Sequence, residues 1–281
     1  MTAPEIFSRT LRRLRRDRAA PCFDDHAFLI DHIVECLLDR LDLVSRSFES
    51  ALDLGCHDGR LGRALAARGI GVTSADAGAR FAAQAGGIQC DEDRLPFAAQ
   101  SFDLVVSAGV LDQVNDLPGA LVQIRRLLKP DGLLLAGFIG AGSLPVLRGA
   151  MISADLAAGG GVAARIHPQI DVRAAGDLLG RAGFALPVAD SEQLAVRYRS
   201  PLRLLADLRG MAGTNLLAAD RAPPFTRARL AALADALGEH IEERFELVYL
   251  TAWAPGPDQP QPARRGSGTH SLANALKPPS R

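Results

Sequence analysis

Residues 51–59 read ALDLGCHDG. A short apolar run carrying Asp53 ends at Leu54, Gly55 and Gly59 bracket a turn, and a helical segment follows from Arg60. This is the shape of a strand–turn–helix nucleotide loop. Glycine opens backbone angles closed to other residues and lets a ligand approach the chain. The helix behind the turn presents unpaired N–H groups to polar or anionic groups. One position is out of pattern, because the middle glycine usual in such loops is His57.

Outward from the loop, short apolar runs alternate with helical periodicity. Strands are expected at 51–54, 72–75, 88–90, 102–107 and 132–138, with helices at 61–68, 79–85 and 117–128 between them. Strands this apolar, separated by helices, imply a parallel sheet covered on both faces. The fold class is therefore α/β and doubly wound. Beyond residue 138 the rhythm changes, with helices expected at 144–157, 172–182, 202–211 and 226–239. Strands are expected at 184–189, 193–198 and 245–253. Residues 1–48 read as an N-terminal helical segment and 49–254 as the main domain, with insertions at about 140–170 and 199–244. Residues 255–281, rich in Pro, Gly and Ser, read as an extended or disordered tail.

The chain has 281 residues and a formal net charge of zero, which gives no global field toward nucleic acid. Arg9, Arg12, Arg13, Arg15, Arg16 and Arg18 nevertheless crowd the N-terminus. Such a run reads first as a solvated helix face, with a partner-docking arm or contact with anionic lipid as alternatives. No apolar run reaches the ~20 residues of a membrane span, and no secretory signal core is present. The four cysteines show no paired metal-ligand spacing. A cytoplasmic protein with free thiols is expected, at most peripheral at the inner face of the cytoplasmic membrane.

Asp76 closes the second expected strand, where an acid accepts hydrogen bonds from two ribose hydroxyls. Asp91-Glu92-Asp93 follows the third, with Asp91 placed to accept from an adenine amine. SFDLVVS (101–107) and LLKPDG (127–132) complete the series. In this order the motifs resemble class I S-adenosylmethionine-dependent methyltransferases, type 11 in particular. Further stretches are similar to the NADH:ubiquinone oxidoreductase assembly factor 5 family: Asn115-Asp116-Leu117-Pro118, LLGRAGF (178–184), RRDRAA (15–20), DLRGM (207–211) with Asn215, and RGSG (265–268). More distantly the chain resembles the malonyl-carrier-protein O-methyltransferases of biotin synthesis. The similarity spans roughly Ile6 to Leu276.

The resemblance implies a Rossmann-like methyltransferase sheet with an antiparallel last strand. It also implies S-adenosylmethionine as cofactor and a respiratory complex I subunit as protein substrate, modified at an arginine by hydroxylation rather than methylation. Asp53, Gly55 and Gly59, with Cys56 and His57, would line the methionine end of the cofactor. Asp76 would hold ribose, Asp91 and Glu92 would face adenine, Ala77 would be a further cofactor contact, and Ser107 would sit beside the reactive centre. Two departures stand out. His57 takes up room the methionine part would use, which leaves open a non-catalytic assembly chaperone. Asp112-Gln113 replaces a frequent His-Trp pair, which leaves open an O- or N-methyltransferase of a small molecule or carrier-bound acyl group. Asp112, His167 and Tyr198 are the candidate catalytic residues. No metal site is expected, since the Asp53, His57 and Asp58 cluster lacks a convincing third ligand nearby.

Overall fold

The computed structural model describes residues 5–159, 161–218, 223, 226–257, 259–260 and 266–268. Most of the expected tail lies outside the described residues. Seven strands form one sheet in the order β3-β2-β1-β4-β5-β7-β6. Their ranges are β1 (Ser50–Leu54), β2 (Gly71–Asp76), β3 (Ile88–Gln89), β4 (Phe102–Ala108), β5 (Leu128–Ile139), β6 (Ala185–Tyr198) and β7 (Ile241–Trp253). The first five run parallel, and β7 lies antiparallel between β5 and β6.

The central strands are apolar on successive residues because both faces are covered. On one face Leu133 and Leu135 of β5 pack in a cluster with Leu29, Ile33 and Leu37 of α2 (Phe28–Asp42). On the other, Leu134 joins Leu121 and Ile124 of α5 (Leu117–Leu127) and Leu179 of α7 (Val172–Arg181). Helices α3 (Arg60–Ala66) and α4 (Ala79–Gln84) follow β1 and β2, while α6 (Pro145–Ala157), α8 (Pro201–Gly210) and α9 (Arg227–Leu237) occupy the insertions.

The runs expected at 184–189 and 193–198 form one strand, β6. Its polar middle, Asp190-Ser191-Glu192, reads as a break, yet an edge strand with one open face tolerates it. Asp190 receives Arg40, and Glu192 accepts from the Tyr249 hydroxyl.

Helix α1 (Arg9–Ala19) crosses the carboxyl ends of the parallel strands. Ser8 caps it, accepting from Leu11 N. Its entry is pinned by backbone: Phe7 N–H donates to Asn115 Oδ1, Asn115 Nδ2 donates to Phe7 O, and Ser8 N–H donates to Leu216 O. The arginine run is not a solvated face, because Arg12 and Arg16 are 4% and 1% exposed.

Candidate functional site

The expected cofactor residues do converge at the carboxyl ends of β1 to β4. Asp53 near the end of β1 accepts from Gly62 N–H at 3.0 Å, in the first turn of α3. Burial pushes its carboxyl up to about 7, although the Gly62 bond opposes this. Gly55 (φ +76°) and Gly59 (φ +83°) adopt left-handed angles. His57 also has positive φ, +49°, in the region where a side chain costs roughly 1–2 kcal/mol.

The His57 ring compensates through its contacts. It stacks on Phe23 at 4.8 Å and meets Phe81 edge-on. Its Nε2 lies 3.0 Å from Ala108 O, and its Nδ1 lies 3.3 Å from Arg16 Nη2. A carbonyl only accepts and a guanidinium only donates, so the ring is neutral with its proton on Nε2. Burial, with Arg16 next, pushes His57 down to about 3.

Four acids of the cleft, Asp76, Asp91, Glu92 and Asp93, are engaged by α1. Arg16 grips Asp76 through Nε and Nη2. Arg12 forks onto Glu92, Arg13 reaches Asp91 at 2.6 Å, and Arg9 forks onto Asp93 at 2.6 and 2.7 Å. Asp76 also accepts from the N–H groups of His57 (3.0 Å) and Gly78 (2.7 Å). A carboxylate offers about four acceptor positions, and four donors fill them. Burial alone would raise the Asp76 pKa, but Arg16 holds it below the ordinary value.

With α1 docked, S-adenosylmethionine does not fit this cleft. Asp76 has no acceptor position left for ribose. A Cβ placed on Gly55 would lie 2.2 Å from Val110 Cγ2, so the turn has room only for glycine at this position.

A cavity of about 570 Å³ adjoins the other flank of α1, which contributes Leu11 and Arg15 to its lining. Asp112 and Gln113, from a 3-10 turn after β4, line it together with His167. Asp112 Oδ2 and His167 Nε2 are 3.7 Å apart. Asp112 Oδ1 and Gln113 Oε1 are buried and have no hydrogen-bond partner among the described residues. Asp116, not Asp112, caps α5. Tyr198 does not line this cavity with Asp112 and His167. It is buried at the end of β6, with a hydroxyl lacking a partner among the described residues. The Ser107 hydroxyl is likewise buried and unpartnered there, and also off the cavity lining.

Cys56 and Ala77 are buried in the two loops that flank Asp76 in space. Sequence reasoning missed Gln113 as an acceptor and α1 as the counterion of the acids; helical spacing of Arg9, Arg12, Arg13 and Arg16 was the available signal. Away from the cleft, His32, Cys36 and Glu192 gather on α2 and β6. His32 Nε2 and the Tyr249 hydroxyl both reach Glu192 Oε1, at 2.7 and 2.6 Å, so hydrogen bonds close that cluster.

Strand order, glycine turn and acid placement together define the class I S-adenosylmethionine-dependent methyltransferase fold. Residues 52–136 match the methyltransferase domain family Methyltransf_11. Phosphoethanolamine N-methyltransferase 2 of Haemonchus contortus, solved with S-adenosylhomocysteine, superposes with a TM-score of 0.51 at 16% identity, over 79% of this chain and 52% of that one. The arginine-hydroxylase NDUFAF5 of Danio rerio, a mitochondrial protein, is 32% identical over 97% of this chain and 90% of its own length. The malonyl-[acyl-carrier protein] O-methyltransferase of Methylovorus sp. is 34% identical over 72% and 73%. The chain belongs to the methyltransferase-fold family that contains arginine-hydroxylase NDUFAF5.

Proposed function

We propose that this enzyme modifies an arginine side chain on a subunit of respiratory complex I during assembly, with S-adenosylmethionine as the cofactor of its cleft. The relatives named arginine-hydroxylase support the substrate residue and favour hydroxylation, a two-electron oxidation whose oxygen atom comes from an external oxygen donor acting as co-substrate and not from S-adenosylmethionine. The observation that carries the substrate choice is the pair of unpartnered acceptors, Asp112 Oδ1 and Gln113 Oε1, in a largely apolar cavity. Buried acceptors without donors cost about 1–3 kcal/mol each. A guanidinium supplies planar N–H donors to both, and its methylene stem suits the walls of Leu144, Leu147 and Leu208. Asp112 adds the countercharge. Arg165, also in the lining, is neutralised locally by two bonds to Asp155. His167, edge-on to Phe7, orients beside Asp112.

Among the described residues no helix is long and apolar enough to cross a membrane. The proposed setting is cytoplasmic, with contact at the membrane's inner face through the complex I subunit itself.

Peptide mapping by mass spectrometry of complex I tests the proposal, using a deletion strain and the same strain complemented with wild type or Asp112→Leu. One arginine is expected to lose its modification on deletion, regain it with wild type and remain unmodified with Asp112→Leu. Identical masses at every arginine in deletion and wild-type strains overturn it.

A further inference from the structure

We propose that α1 and S-adenosylmethionine compete for one set of carboxylates, so that the cofactor enters only when α1 lifts from the cleft. This rests on the cofactor reading above. Arginines 9, 12, 13 and 16 are spaced by three, one and three residues and share one helix face. Arg16 meets Asp76 at the end of β2, and Arg13, Arg12 and Arg9 meet Asp91, Glu92 and Asp93 after β3, with Arg9 also 3.3 Å from Asp91. On the cofactor reading, Asp76 is the ribose acid and Asp91 with Glu92 the adenine acids. Four acids in one cleft repel each other unless compensated, and α1 supplies four cations to four anions.

The composition of α1 makes its release feasible. Its buried residues are Arg12, Arg16 and Ala19, so the docked face is held by ion pairs rather than leucine packing. Leu14 is 43% exposed even when the helix is docked. Lifting α1 returns the guanidiniums to water and uncovers Ala19 and the Phe81 ring that Arg16 covers. A break in the helix already exists behind it: residues 20–26 are 3-10, and Cys22 departs from helical angles (φ −123°, ψ 17°). The Phe7–Asn115 and Ser8–Leu216 bonds tether the front end.

S-adenosylhomocysteine is the probe, with the full chain. Hydrogen exchange of residues 9–19 is followed with and without it, and titration calorimetry compares wild type with Arg12→Gln/Arg16→Gln. Saturating ligand is expected to speed exchange in α1. The variant is expected to bind about tenfold or more tightly, because apparent affinity scales with the open fraction. The exchange experiment needs no variant and stands if the substitutions unfold the protein. Binding to wild type with α1 unchanged or better protected, and equal affinity in the variant, overturns the competition while leaving the cofactor reading intact. Absence of binding to both proteins overturns the cofactor reading, and the competition with it.

Discussion

Replacing His57 by glutamine separates two buried titrations that oppose each other in the wild-type chain. The folded His57 takes its proton only near pH 3, against an ordinary 6.5. Between those values the unfolded chain binds the extra proton, so acidification destabilises the fold. Asp53 behaves oppositely: folded, it keeps its proton up to about 7, against an ordinary 3.8. Between those values the folded chain binds the extra proton, so acidification stabilises it. Each imbalance of one proton changes stability by roughly 1 kcal/mol per pH unit. From about pH 4 to 6.5 the two slopes cancel. Glutamine at 57 can still accept from Arg16 and donate to Ala108 O, but it does not titrate. His57→Gln should therefore gain about 2 kcal/mol relative to wild type between pH 6.5 and 4.5. Asp53→Asn should shift the other way. Urea denaturation at half-unit pH steps reads both, with the difference from wild type removing every group they share. Parallel stability curves for wild type and His57→Gln would show that His57 is not a buried neutral imidazole.

Removing either half of the Arg16–Asp76 pair strands a fully buried charge, so Arg16→Gln and Asp76→Asn should each cost about 3–5 kcal/mol. The double variant should cost less than their sum by about 2 kcal/mol in a denaturant cycle; additive values would mean the pair is not coupled. Gly55→Ala should destabilise by about 2–4 kcal/mol, from its φ and its approach to Val110. Adding Val110→Ala should restore the steric share, and a double variant no more stable than the single contradicts the clash. Tyr198→Phe removes a hydroxyl without a partner among the described residues. It should change stability by no more than about 0.5 kcal/mol and leave arginine modification intact in the complementation assay. Loss of modification would return Tyr198 to the chemistry.

The parallel half of the sheet is legible in the sequence because each strand is an apolar run closed by glycine or an acid. Asp53, Gly55, Asp76 and Asp91 are legible for the same reason: they sit at strand ends, and strand ends converge. What occupies those acids is not legible. Arg12 and Glu92 lie 80 residues apart, and a net charge of zero hides which cation meets which anion. Asp112 and His167 are individually ambiguous, and only the fold brings them to one cavity. The polar centre of β6 reads as a loop because its partners, Arg40 and Tyr249, come from distant segments.

The position of β7 bears on biosynthesis. Among the described residues it is the latest of the seven strands in chain order, yet it lies inside the sheet, and it is the strand to which β6 is hydrogen-bonded. Until residues 241–253 leave the ribosome, β5 presents an open edge and β6 has no neighbour. At synthesis rates of about 5–20 residues per second, that exposure lasts several seconds after β5 emerges. Unpaired edges of this length invite pairing with other chains. A nascent chain stalled before residue 241 is thus the most aggregation-prone form of this protein, and a premature stop there should yield an insoluble product rather than a smaller folded one.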